Sequence, residues 1–196
     1  MKKVLKAIVK VLKAIVWVVG VFVVIFVVGG YVILIGGGYL LPFEVTVQRQ
    51  RVINVAPEKV FALVDGYKRF SEWSPWAELD PKTQYTFEGP ESGIGAKMSW
   101  ASKNPNVGVG TQTITELVKN SHVAFDLDLG NMGKGSAFWD LKPEGAGTLA
   151  TWGFKMKLDS LMDRWLGLLM DRFVGPDYEK GLAKVKALAE KEAASG

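Results

Sequence analysis

The sequence predicts an α+β domain tethered by one N-terminal transmembrane helix. Three observations carry this. Residues 14–41 hold no charged side chain. Residues 43–158 divide into seven short strand-like runs at hairpin spacing, interrupted once by a helical stretch. Residues 160–193 then read as a helical tail. A sheet of that extent cannot leave its apolar face in water, and a helical tail laid across a bent sheet is the natural cover.

The N-terminal residues 1–13 read as a basic amphipathic leader. The heptad KVLKAIV occurs at 3–9 and again at 10–16, which places Lys3, Lys6, Lys10 and Lys13 on one helix face. Such a face suits anionic lipid headgroups, and a solvated helix is the plain alternative. Residues 14–42 read as the membrane helix, with Gly36-Gly37-Gly38 and Pro42 ending it. A bilayer core needs about 20 apolar residues in a helix. The β-branched run VWVVGVFVVIFVV would suit a buried strand in water, but in lipid the backbone must satisfy itself as a helix. Trp17 near one end and Tyr31 and Tyr39 near the other fit the two interfaces. A cleaved signal peptide would have a shorter apolar region of about 7–15 residues. Lys2, Lys3, Lys6, Lys10 and Lys13 precede the run, whereas only Arg49, Arg51 and Lys59 follow early. The lysine end is therefore expected in the cytoplasm and residues 44–196 outside it, in the periplasm of a two-membrane bacterium.

Residues 43–196 form the expected domain. Phe43 to Val55 is the first strand. Ala56-Pro57-Glu58 opens a helix, since Pro suits the first helical position and an early Glu the positive helix end. Val60, Phe61, Leu63 and Val64 give that helix a buried side, and Asp65-Gly66 stops it. Tyr67 to Phe70 reads as a second helical turn, followed by Trp73 and Trp76 around Ser74-Pro75. Further strands are expected over 83–88, 97–102, 109–118, 122–129, 136–142 and 148–158, with Gly-, Pro- and Asn-containing turns between them. The tail divides into Ser160–Val174 and Asp177–Ala193, with Gly175-Pro176 as a break or kink.

Composition narrows the chemistry. The five leader lysines belong to a total of 24 cations, which leaves 19 against 20 acids. The basic character therefore lies in the leader and gives no case for a nucleic-acid partner. There is no Cys and a single His, His122, so thiol chemistry, disulfides and a three-His metal site are excluded. Gly93-Ile94-Gly95 and Gly108-Val109-Gly110 open no helix and lack a closing Lys-Ser or Lys-Thr, so they are hairpin turns and not phosphate loops. No metal cluster and no cofactor are expected.

The segments APEKVFALV (56–64), FSEWSPW (70–76), GPESGIGAKMSW (89–100), GVGTQTITE (108–116) and MDRFVGPDYEKGLAKVKALAE (170–190) together resemble the START-related SRPBCC superfamily, in its polyketide cyclase/dehydrase-type branch. The resemblance spans roughly residues 44–192. It implies the helix-grip form of α+β fold: a curved seven-stranded antiparallel sheet wrapped around a long C-terminal helix, two small helices at one end, and a hydrophobic cavity between sheet and helix.

Large side chains crowd the strand faces that would line such a cavity: Tyr85, Met98, Trp100, Phe125, Trp139, Trp152 and Met156. With Trp73 and Trp76 from the connection and Leu169 from the tail, they are the expected contacts of a hydrophobic small molecule or lipid. A core filled by these same rings is the alternative. Polar groups that could orient a ligand are Tyr67, Glu78, Tyr85, Asp126 and Asp128. Asp126 and Asp128, two apart on one strand, share a face and are the weak candidates for acid–base catalysis of the cyclase/dehydrase kind. If buried, one would be forced to hold its proton; if opposite Phe125 and Leu127, both are solvated. His122 is expected to be exposed. A protein-interaction module is a further reading of the same fold, and oligomeric state is left open.

Overall fold

The computed structural model describes residues 2–195. Helix α1 (Lys2–Leu40) leads into strand β1 (Glu44–Ile53). Three short helices follow: α2 (Pro57–Val64), α3 (Phe70–Trp73) and α4 (Pro75–Leu79). Strands β2 (Gln84–Glu88), β3 (Lys97–Ala101), β4 (Val109–Val118), β5 (His122–Asp128), β6 (Lys134–Glu144) and β7 (Gly147–Lys157) come next, and helix α5 (Leu161–Ser195) ends the chain. The seven strands form one antiparallel sheet in the order β1-β7-β6-β5-β4-β3-β2. Consecutive hairpins build β2 to β7, and β1 closes against the last strand with Glu44 opposite Lys157 and Ile53 opposite Thr148. This is the α+β helix-grip fold, with an apolar N-terminal helix beside it.

Alternation decides which side of the sheet meets the helix. Val123 and Phe125 on β5, Ala137, Trp139 and Leu141 on β6, and Ala150, Trp152 and Phe154 on β7 are all buried on the inner face. A bulge in β4 between Ile114 and Glu116 shifts the register against β5 and adds local bend. Helix α5 lies over the β1–β7 side, sending Tyr178, Leu182, Val185 and Ala189 into the core. Its second half is bolted down by polar links at both ends of the connection. Arg69 pairs with Glu72 and with Glu192 at 2.6 and 2.5 Å. Lys184 pairs with Glu78, Glu190 accepts the Asn54 amide at 2.8 Å, and Lys186 donates to the Val52 carbonyl at 2.9 Å.

Three local expectations are corrected. The second helical turn falls at Phe70–Trp73 and a third at Pro75–Leu79, not at Tyr67–Phe70, because Pro75 suits a first helical position and starts α4. Gly36-Gly37-Gly38 does not end α1, which continues to Leu40. These glycines form a notch for α5: a Cβ on Gly37 would sit 2.8 Å from the Trp165 ring, and one on Gly38 would sit 3.2 Å from Leu161. Pro176 does not break α5 either, since its missing N–H costs one backbone bond on the exposed side while packing on both sides holds the helix. Gly175 matters more. A Cβ there would lie 2.1 Å from the Arg49 guanidinium. Arg49 passes beneath the helix to reach Asp171 at 2.7 and 3.0 Å and Glu179 at 2.8 Å, spanning the proline.

Candidate functional site

The space between sheet and helix has two unlike ends. Near α3, aromatic rings fill it. Trp139 and Trp152, opposite each other on β6 and β7, stack at 4.9 Å with 6° between planes. Tyr178 covers the other side of Trp152 at 4.1 Å. Trp73 stands edge-on to both indoles at 5.6 and 5.3 Å and donates its Nε1 hydrogen to the Leu63 carbonyl at 2.9 Å. Trp76 meets Trp152 and Tyr178 edge-on at 5.8 and 5.9 Å. Such pairs each add about 0.5–1.5 kcal/mol beyond burial, so this end is rigid.

Toward β2 the same inner face is only partly covered. Tyr85, Trp100, Leu127 and Leu129 pack against the core yet stay half-buried, as do Met170 and Val174 on the first half of α5. Trp100 lies across Gly110, where a Cβ would meet its ring at 2.4 Å, and its Nε1 donates to the Val107 carbonyl at 3.2 Å. Phe87, on the same side of β2 as Tyr85, is 58% exposed. These half-buried side chains leave the inner face toward β2 with an incompletely covered apolar surface.

One polar group in the core stands out. Tyr67 is 3% exposed and its ring lies 6.2 Å from Phe125. Its hydroxyl is buried without a hydrogen-bond partner. Burial pushes the phenol well above its ordinary range; Gln112 lies close enough to moderate the shift without meeting the hydroxyl in hydrogen-bonding geometry. Gln112 is half-buried on β4, on the side of the strand that carries Ile114 inward. A buried hydroxyl without a partner costs about 1–3 kcal/mol, so a ligand oxygen that met it would recover that cost. The buried Ser74 hydroxyl also lacks a partner, but it sits between α3 and α4.

The expected ligand contacts thus separate into groups. Trp73, Trp139 and Trp152 pack on one another, and Met98 on β3 and Phe125 on β5 are buried in the same core. Trp76 caps the same ring cluster at its half-buried margin, Met156 belongs to the buried core, and Tyr85 and Trp100 lie on the partly covered side toward β2. Leu169 does not face inward: it is 44% exposed on the side of α5 opposite Tyr178 and Leu182. Gln112, Leu127, Leu129, Met170 and Val174 were not singled out from sequence. The signal for Gln112 was a polar side chain at an inward position of the alternating strand, between Gly110 and Ile114 on the same face.

The acid–base candidates lie elsewhere. Asp126 is exposed on the outer face, opposite Thr113 and Ser136. Asp128 accepts the Gly130 amide at 3.0 Å and pairs with Lys134 at 3.1 Å, contacts that hold its carboxyl below the usual range. Neither carboxyl is buried. Glu78 is tied to Lys184 at the surface. His122 is half-exposed, its Nδ1 2.7 Å from Asp140. Among the described residues there is no cluster of His, Cys, Asp or Glu able to hold a metal.

A helix gripped by a seven-stranded sheet, with an apolar inner surface, defines the SRPBCC class of domain. The chain belongs to the polyketide cyclase/dehydrase and lipid transport family, whose sequence profile matches residues 44–190. Solved structures share the fold at low identity. The di-domain ARO/CYC StfQ from the steffimycin biosynthetic pathway aligns at 12% identity and TM-score 0.62, over 78% of this chain and 52% of that one. A protein of unknown function, SA2116 from Staphylococcus aureus, aligns at 13% and 0.60, over 77% and 96%. Protein CV1439 from Chromobacterium violaceum aligns at 17% and 0.51, over 74% and 98%. No curated protein is a significant match.

Proposed function

We propose that the domain binds, without covalent chemistry, a hydrophobic small molecule or lipid in a concavity between the inner face of β2–β5 and the first half of α5. The observation that carries the reading is that Tyr85, Trp100, Leu127 and Leu129 on the sheet, and Met170 and Val174 on α5, pack against the core yet stay half-buried. Apolar sites with few polar groups are the common form of small-molecule pocket. The Tyr67 hydroxyl and the Gln112 amide would take one uncharged oxygen of the ligand, a carbonyl or hydroxyl. Arg49, the nearest inner-face cation on β1, is already engaged by Asp171 and Glu179.

Helix α1 would hold this domain at a membrane in a single pass, its N-terminus cytoplasmic and the domain on the far side. Leu12–Leu40 is 29 residues long and apolar enough to cross a bilayer, and its most apolar 18 residues are all unburied. The lysines before it and the few cations after it favour that orientation. An anchor beside a lipid-binding concavity keeps it close to its supply, which makes transfer of the bound molecule a natural extension. A cyclase/dehydrase-type reaction draws no support from Asp126 or Asp128, which sit on the outer face.

Photo-crosslinking tests the reading. The full chain in nanodiscs is exposed to a diazirine-bearing stearic acid, and adducts are mapped by peptide mass spectrometry. Adducts within 85–129 and at 170–174 that excess oleic acid removes are expected. Adducts confined to α1, or insensitive to competitor, would overturn it.

A further inference from the structure

The first half of α5 carries a second apolar surface, on its outside. Met162, Leu166, Leu169 and Phe173 are spaced by four, three and four residues and so form one stripe along the helix. All four are exposed, Phe173 at 65%. The stripe lies opposite the side that buries Tyr178, Leu182 and Val185, so nothing in this chain covers it. Past Pro176 the same outward face loses its large apolar side chains and carries Lys180, Ala187 and Lys191. A helix whose outer face is oily for one half and wet for the other crosses between two solvents.

The position of α1 says which solvent lies on the oily side. Only Leu41, Pro42 and Phe43 separate α1 from β1, a reach of about 10 Å at most. The Trp165 Nε1 donates to the Leu34 carbonyl at 2.9 Å, Leu161 packs at Gly38, and Arg164 lies 3.5 Å from the Gly38 carbonyl. From Ala14 to Leu40, α1 carries no charge over 27 residues, which span about 40 Å at the helical rise, more than the roughly 30 Å of a hydrocarbon core. The last turns of α1 therefore reach the headgroup layer with α5 fastened to them. Tyr39, Leu40 and Phe43, exposed at the same joint, continue the apolar surface from one helix to the other.

We propose that residues 161–174 of α5 lie in the bilayer interface beside the end of α1, with the Met162–Leu166–Leu169–Phe173 stripe against the acyl chains. The inference rests on α1 being a membrane span. Interfacial helices of this kind bury their apolar face about 5–10 Å into the headgroup boundary. Met170 and Val174, half-buried on the inner side of the same turns, belong to the proposed site, so a lipid leaving the bilayer around this helix would arrive there.

The chain contains no Cys, which suits single-site labelling. Nitroxides are placed through Leu166→Cys, Leu169→Cys, Ala187→Cys and Phe26→Cys in the full chain, reconstituted in phosphatidylethanolamine/phosphatidylglycerol vesicles. Circular dichroism confirms folding of each variant. The ratio of oxygen to nickel-chelate collisions is then compared. The account expects high ratios at 26, 166 and 169 and a low, aqueous ratio at 187. A high ratio at 26 with aqueous values at 166 and 169 overturns the inference and leaves the anchor standing. An aqueous value at 26 overturns both. Labels at 166 and 169 shielded from both quenchers, with dipolar broadening between copies, overturn it in favour of a helix seam between two chains.

Discussion

Replacing Tyr67 by Phe separates the cost of an empty site from the gain of a filled one. The phenol is buried, its hydroxyl has no partner, and its ring contacts with Phe125 do not depend on the oxygen. Removing the oxygen relieves a desolvation cost of about 1–3 kcal/mol in the empty protein. Part of that gain is lost to the small void left behind, so a net stabilisation of about 1 kcal/mol is expected. For a chain of this length that raises the melting temperature by about 2–4 °C. Ligand binding moves the other way. Losing one hydrogen bond of about 0.5–1.5 kcal/mol weakens an oxygen-bearing apolar probe by about two- to tenfold. Differential scanning fluorimetry of the full chain reads the first quantity. The concentration dependence of diazirine-stearic acid crosslinking reads the second. A variant that is less stable and binds the probe undiminished would refute the assignment of Tyr67.

Two helix glycines make a paired test. Gly181→Ala places a Cβ 2.4 Å from Trp152, which is held between Trp139 and Tyr178. Overpacking of about 1–3 kcal/mol exceeds the helix-propensity gain of about 1 kcal/mol, so denaturant melts should show net destabilisation. Gly175→Ala meets the flexible end of Arg49. It should cost no more than those half-exposed ion pairs, about 1 kcal/mol, and come out near neutral. Trp139→Ala removes a ring that is 1% exposed and should cost about 3–5 kcal/mol by the same melts. Acid should loosen α5. Hydrogen bonds from Arg49 hold Asp171, and those from Arg69 hold Glu72 and Glu192, below their ordinary carboxylate ranges. Their contribution is present above the unfolded values near 3.8 and 4.5 and is lost as pH falls through the lower folded ones. Thermal melts should show declining stability below about pH 4.5, less steeply in high salt.

The sheet was legible because its strands alternate cleanly: Val123, Phe125 and Leu127 inward against Ala124 and Asp126 fixes the phase of β5 without tertiary knowledge. Helix ends were less legible. Gly36–Gly38 and Pro176 look like stops by local propensity, yet Trp165 packing into the glycine notch and the Arg49 ties around the proline outweigh it. The site was legible as a set of bulky inward residues and no further. Alternation cannot reveal that Trp139 and Trp152 fall opposite each other and stack, leaving Trp100 and Tyr85 at the open side. Leu169 was misplaced because the first half of α5 is apolar on several sides, with Leu161, Trp165 and Leu168 crowding the same turns. Tyr67 was visible as a residue type, but its hydroxyl's lack of a partner is a property of packing alone.

The account turns on the inner surface beside β2–β5 being an apolar site that a ligand completes. Native mass spectrometry of the full chain released from nanodiscs, with and without Leu127→Trp, addresses this directly. Leu127 is half-buried opposite Gly135 and Gln112, where an indole would occupy the proposed site while leaving α1 untouched. One retained apolar molecule per wild-type chain, absent from the variant, is the predicted result. Equal retention by both proteins, or none by either, would contradict it.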